Sequence, residues 1–297
     1  WSSDVCSSDL RSAGKRHLGD HFAGMSNPAL DELLDADLLA YARVVANEGV
    51  RAGYRGDRTA RTIAEPHASA RGHMPEAMDQ LWKDAQKGRV LLCDEGAEKA
   101  LKGTLSVPLA RVPKMNPDRT VSSKGRLVWD QRVLNEGTEG DAHPPALQPR
   151  HREVVRLILW WTLRLPGIPV LLAKKDVAEA FKWIWIAPDD VPLFGADLPG
   201  DAFGLPGRRV TAVYLCLTFG FTGSPGQWMV WAWLMKLYHS SYRLEGEEWH
   251  DTVPLSSFYL MDDQVLVEPD IGRRPQESNR VASEAMTLLL EIGRAHV

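Results

Sequence analysis

The feature that most constrains this chain is a pair of adjacent acids inside a hydrophobic run, Phe258-Tyr259-Leu260-Met261-Asp262-Asp263-Gln264-Val265-Leu266-Val267. The flanking segments read as the two strands of a hairpin, with the acids at its turn. Strand walls of this kind hold a turn against a core, where an unpaired carboxylate is costly and two neighbouring ones more so. A bound divalent cation is the simplest compensation, and oxygen ligands suit Mg²⁺. Taken alone, an Asp-rich turn exposed to water explains the pair equally well.

A third acid shifts that balance. Leu171-Leu172-Ala173-Lys174-Lys175-Asp176 closes an apolar strand expected over Ile168 to Asp176. If that strand lies beside the hairpin, Asp176, Asp262 and Asp263 converge, and such a cluster can hold two metal ions. The plainer role for Asp176 is a cap on a helix beginning at Val177-Ala178-Glu179-Ala180.

The rest of the chain reads as alternating helices and short strands. Asn27-Pro28 opens a helix whose Leu30, Leu33, Leu34, Leu38, Tyr41 and Val45 share roughly one face up to Gly49. Arg51 to Arg71 is an arginine-bearing loop, read as a solvated surface in preference to a phosphate-contacting arm. Pro75 to Lys87 predicts a helix with Met78, Leu81, Trp82 and Ala85 inward. Strands are expected over Val107 to Val112 and Arg126 to Trp129, around a turn from Asn116 to Gly125. A proline-marked linker (Pro144-Pro145, Pro149) leads into a helix over Arg150 to Arg164. Phe181 to Ile186 and Val210 to Leu217 read as strands separated by a Gly/Pro-rich loop, Pro188 to Gly207. Ser224 to Ser240 predicts a tryptophan-rich helix packed as core, and Asn279 to Leu290 a last helix.

Composition bounds the setting. The chain is 44% hydrophobic and 25% charged, as a globular protein is, with a formal net charge of −4. Nucleic-acid binding therefore needs a local basic surface. Cys93 and Cys216 stand in no metal-ligand spacing, and no apolar run is long enough to span a membrane. Residues 1–10 and 291–297 can be encoded by two mutually reverse-complementary DNA strings resembling a sequencing-library adapter. Both ends, Cys6 included, are expected to be artefacts and stand outside the fold reasoning.

Four segments in order resemble the signature motifs of reverse transcriptases of the retrotransposon type. Leu260-Met261-Asp262-Asp263 resembles the x-Met-Asp-Asp box, and Asp176 through Phe181 the first catalytic motif. Phe219-Gly220-Phe221-Thr222-Gly223-Ser224-Pro225 resembles the Gly-Ser-Pro motif that opens a helix beneath template and nucleotide. Lys124-Gly125-Arg126-Leu127-Val128-Trp129-Asp130-Gln131-Arg132-Val133-Leu134-Asn135 resembles a fingers motif. The likeness covers residues 107 to 267 and leaves the region from 11 to about 100 unread.

The resemblance implies an α+β right-hand polymerase fold whose antiparallel palm sheet packs on helices, the thumb being absent. Residues 107–290 would form fingers and palm, following a helical region over 11–106. It implies catalysis by Asp176, Asp262 and Asp263, with Val177 joining them around two Mg²⁺ ions, or Mn²⁺ in their place. Arg126 would grip the triphosphate of a dNTP, with Lys124 or Lys114 as companion. Only the backbone amides of Glu179 and Ala180 would serve the phosphates. Phe181 would exclude a ribose 2′-hydroxyl by volume. Phe219, Gly220, Gly223 and Met261 would line the nucleotide and primer. The implied partners are primer–template nucleic acid, dNTP and further polyprotein domains, in an intracellular compartment and with no membrane. An RNA-templated RNA polymerase and a catalytically silent nucleic-acid-binding descendant are the alternatives.

Overall fold

The computed structural model describes residues 35–59, 61–94 and 103–290. The expected adapter ends and the helix start at Asn27-Pro28, with Leu30, Leu33 and Leu34, lie outside the described residues. The chain is a mixed α+β protein with small antiparallel sheets, and it divides into two compact units. The first comprises Glu48–His143 and Phe181–Ser224; the second takes residues 35–47, 144–180 and 225–290 among those described. The first unit thus joins segments from both sides of position 107.

In the first unit, helices α2 (Ala68–Arg71) and α3 (Met74–Gln86) precede strand β1 (Val90–Asp94). Strands β2 (Leu109–Met115) and β3 (Val121–Trp129) follow, then the short helix α4 (Arg132–Glu136). The later segment adds β5 (Gly195–Pro199) and β6 (Arg209–Tyr214). β6 is the centre of an antiparallel sheet ordered β1-β6-β5, and β2 pairs with β3 as a two-stranded ribbon. The region before 107 is therefore not purely helical, because Val90-Leu91-Leu92-Cys93 pairs along the whole of β6. The turn expected over Asn116 to Gly125 is shorter, and Lys124 and Gly125 lie inside β3.

Two further expectations fail here for identifiable reasons. Phe181 to Ile186 is not a strand: Ala180–Trp183 is a 3₁₀ turn, and Trp185 and Ile186 form only isolated bridges. Phe181, Ile184, Trp185 and Ile186 are all buried, so no two-residue alternation exists to be read. The loop expected over Pro188 to Gly207 contains β5, which has no β-branched residue and is held by its ladder to β6. On α3 the inward stripe is Ala77, Leu81 and Asp84, while Trp82 is 53% exposed.

Asp84 is the unexpected member of that stripe. Its carboxylate lies 2.7 and 3.0 Å from Lys182 Nζ and accepts a 2.5 Å hydrogen bond from the Tyr214 hydroxyl. An acid 1% exposed is tolerable only when paired and hydrogen-bonded in this way. The pair ties the 3₁₀ turn bearing Phe181 and Lys182 to α3.

In the second unit, α1 (Ala36–Glu48, all but its last residue in this unit) buries Leu39, Ala42, Val45 and Ala46, with Tyr41 at the margin of exposure. α5 (His151–Arg164) starts with a capping box in which Glu153 accepts from the Arg150 amide. Strand β4 (Val170–Asp176), the hairpin β7 (Ser257–Leu260) and β8 (Asp263–Pro269), and helix α7 (Arg274–Leu290) complete the unit with α6 (Ser224–Ser241). Trp228, Met229, Val230, Trp231, Leu234 and Met235 bury α6 on nearly every side, so it carries little amphipathic signal. Gly226 in its first turn sits where a Cβ would lie 1.7 Å from the Pro144 carbonyl oxygen.

The sheet is ordered β4-β8-β7, so the strand ending in Asp176 is an edge strand. Leu171 and Leu172 are 41% and 57% exposed. The central β8 carries the burial instead, in Leu266 and Val267. Among the described residues no helix is long and apolar enough to cross a membrane.

His239 is fully buried on α6, with Nε2 3.0 Å from Ser278 Oγ and 3.1 Å from the Ser278 carbonyl. Burial pushes its pKa down to about 4, helped by the Lys175 and Arg274 charges. Between about pH 4 and 6.5 the unfolded chain binds this proton and the native chain does not, so stability rises with pH there. Acidification across that window should cost on the order of 3 kcal/mol through His239. Urea unfolding at successive pH values measures it, with His239→Gln expected to flatten the slope. Equal slopes for the two proteins would remove the effect from His239.

Candidate active site

The turn between β7 and β8 is two residues long, Met261 and Asp262, closed by the pair Leu260↔Asp263. Met261 adopts φ 59°, a conformation that an unbranched L residue takes only when its surroundings impose it. Those surroundings are visible. The Trp228 indole N–H donates to the Met261 carbonyl at 2.8 Å, and the Val177 amide donates to the Asp262 carbonyl at 3.0 Å. The turn is therefore held from α6 on one side and from the end of β4 on the other.

The β4–β8 register supplies the third acid. Val170 pairs with Pro269, and the ladder runs without a shift to Asp176↔Asp263. Strands far apart in sequence thus deliver Asp176 beside Asp263, one residue from Asp262. Asp176 and Asp263 are directly opposed in the ladder, and Lys174 Nζ lies 2.8 Å from Asp263 Oδ2. Partial burial raises the Asp176 pKa above the usual carboxylate value, and the charges of Asp262 and Asp263 raise it further. The Lys174 pKa is raised as well, chiefly by its hydrogen bond to Asp263, which favours the charged ammonium.

The cluster therefore holds three carboxylates against one lysine. Such an excess of hard oxygen donors fits a divalent cation. Among the described residues no three His, Cys, Asp or Glu side chains already form a metal-ligand set. Asp263 is engaged with Lys174 in this arrangement. Val177 could contribute only a backbone oxygen. Lys175 points elsewhere: its ammonium is bonded to the Asn279 carbonyl at 2.9 Å and to the Ser283 hydroxyl of α7. Glu179 has φ 57°, a left-handed residue that turns the chain just before Ala180.

The remaining expected residues belong to the first unit. Arg126 and Lys124 are two apart on β3 and share its exposed face, with Val112 opposite Arg126. Lys114 is exposed in the irregular part of β2, between Pro113 and Met115. The inner face of this ribbon is fixed by Glu76, which accepts from Arg111 Nε at 2.5 Å and from the Gly125 amide at 2.6 Å. Gly125 has no side chain because one would strike Arg111.

Phe181 is 7% exposed and meets Phe219 edge to face, ring centroids 4.9 Å apart. The loop carrying Phe219 is clamped by the Asn135 amide, which donates to the Gly220 carbonyl at 2.8 Å and accepts from the Thr222 amide at 2.9 Å. Gln131 Nε2 bonds Thr218 Oγ1 at 2.7 Å just before it. Gly220 is required on two counts: φ is 105°, and a Cβ would lie 2.2 Å from the Trp129 carbonyl oxygen. At Gly223 a Cβ would press on the His143 ring at 2.7 Å.

Asn135, Gln131, Trp228 and Asp84 were absent from the expected site. Asn135 had a signal, as the last residue of the quoted fingers segment. Asp84 had one too, as an acid in step with Ala77 and Leu81. Trp228 had none beyond its place in a tryptophan-rich helix. Comparison with models of known protein families gives no match, and comparison with curated proteins gives none.

Proposed function

We propose that this chain is the fingers-and-palm part of a reverse transcriptase, a polymerase that adds deoxynucleotides to a primer on a template strand. The observation that supports it best is the Asp176↔Asp263 register with Asp262 at the adjoining turn. Three carboxylates from two distant segments meet at one sheet end, in the motif order that the sequence resemblance requires. Asp176, Asp262 and Asp263, with the backbone of Val177, would hold Mg²⁺ or Mn²⁺. The bound cation would supply a Lewis acid for the primer 3′-hydroxyl and the triphosphate.

The protein's own groups would do the rest. Arg126 and Lys124 present a basic face suited to phosphate oxygens. The Phe181 ring, backed by Phe219, offers bulk and no hydrogen bond where a ribose 2′-hydroxyl would need one. The Asn135 clamp keeps the Phe219 loop in one shape.

The test is primer extension by a polypeptide completed with the remainder of palm and thumb, on an RNA template with Mg²⁺. Deoxynucleotides should be incorporated in strong preference to ribonucleotides. Phe181→Ala should narrow that preference by on the order of tenfold or more. Preferential ribonucleotide incorporation would favour an RNA polymerase, and incorporation of neither a silent nucleic-acid binder.

A further inference from the structure

A cavity in the second unit is lined in part by Tyr259 of strand β7. Its volume is about 180 Å³, and its apolar wall includes Pro149, Met229 and Trp233. An apolar cavity of about 150 Å³ is enough to admit benzene. The space is therefore that of one small ring with a substituent.

Its polar groups are what give it a chemistry. Tyr259 lines the cavity, is 2% exposed, and its hydroxyl has no hydrogen-bond partner. A buried hydroxyl without a partner loses its hydration for nothing in return, so such groups usually face a water or a ligand. Lys236 lines the same cavity with its ammonium 4.5 Å from the Trp233 ring centroid and 5.5 Å from that of Phe258. Aromatic faces attract the cation but do not accept its hydrogen bonds as an oxygen does. No hydrogen bond or ion pair to an oxygen joins Lys236 among the described residues. Glu153, the cavity's one acid, accepts from the Arg150 amide at 3.0 Å. Burial lowers the Lys236 pKa, and the Glu153 charge offsets this in part.

Two residues whose donors lack an acceptor thus line one ring-sized space. We propose that this cavity binds a small aromatic monocarboxylate, its carboxylate accepting from Lys236 and the Tyr259 hydroxyl and its ring lying against Trp233 and Met229. The assignment is independent of polymerase chemistry. Tyr259 is nevertheless on the strand that ends one residue before Met261, so an occupant would touch the strand that leads into the paired aspartates.

The probe is 4-fluorobenzoate, followed by ¹⁹F line broadening on the whole chain, with 4-fluorobenzyl alcohol as its uncharged counterpart. The acid should bind, and the alcohol should bind about tenfold more weakly or worse. Lys236→Met keeps the packing length and should weaken the acid by about tenfold. Tyr259→Phe removes an atom with no partner, so it should leave thermal stability intact or raised while weakening the acid severalfold. That variant keeps the test decisive if Lys236→Met unfolds. Failure of the acid to bind at about 10 mM, or equal binding of acid and alcohol, would overturn the proposal. So would unchanged binding by folded Tyr259→Phe and Lys236→Met. Binding of a glutamate-rich peptide without any binding of the acid would overturn it in favour of a protein partner.

Discussion

Asp176→Asn should abolish nucleotide incorporation by the completed polypeptide, by roughly a thousandfold or more, while leaving the chain folded. The substitution keeps size and shape and removes one negative charge from the cluster. In the folded chain partial burial disfavours that charge, and the charges of Asp262 and Asp263 disfavour it further. Removing it relieves repulsion, so without divalent cation the variant should be as stable as the parent or more so. The same change should weaken Mg²⁺ binding, because a neutral amide is a poorer ligand for a hard cation. Loss of activity with retained folding separates a catalytic role from the helix-capping one. Retained incorporation would falsify the assignment of Asp176, whatever the stability.

Arg274→Ala should give the largest loss of stability of any single change considered. The Arg274 side chain is fully buried at the start of α7, and its Nε lies 2.5 Å from Glu268 Oε2. Its remaining N–H groups donate to the carbonyls of His250, Val253 and Pro254 at 2.7 to 2.9 Å. The Trp161 ring covers the guanidinium at 4.8 Å. Glu268 is 2% exposed, and its other oxygen accepts from the Ser256 amide at 2.8 Å.

Truncating Arg274 strands the Glu268 charge in the interior and takes one donor from each of three carbonyls. Breaking one side of such a pair costs about 3–5 kcal/mol. The loss should appear as a lowered urea midpoint. The double variant Arg274→Met with Glu268→Leu should recover part of it, since no buried charge then remains. A loss below about 1 kcal/mol for Arg274→Ala would mean that the network adds little.

The local grammar of the chain was legible because each signal acts over a few residues. The helices expected over Pro75 to Lys87 and Arg150 to Arg164 are α3 and α5, and the Asp262-Asp263 pair falls at a hairpin turn as read. The convergence of Asp176 with that turn was legible only as a condition, that one strand should lie beside the other. The β4–β8 register meets it, and no property of either segment alone could. The misreadings share a cause. β5 lacks strand-forming residues and exists through pairing with β6, while Phe181 to Ile186 has them and gives a 3₁₀ turn ending at Trp183 and two isolated bridges. Trp82 faces solvent and Asp84 faces the core, because Lys182 and Tyr214 arrive from elsewhere to satisfy the acid.

The sequence by itself determined where carboxylates, glycines and helix starts fall, since turn conformation, capping and charge are set by neighbouring residues. Only the tertiary structure decided that β4 is an exposed edge and β8 the buried centre. It also decided that Met261 is held at positive φ from both sides, and that Lys174 pairs with Asp263 while Lys175 turns to α7. Those outcomes depend on which distant segments share a ladder or a buried partner. A chain specifies such pairings only through the free energy of the whole fold.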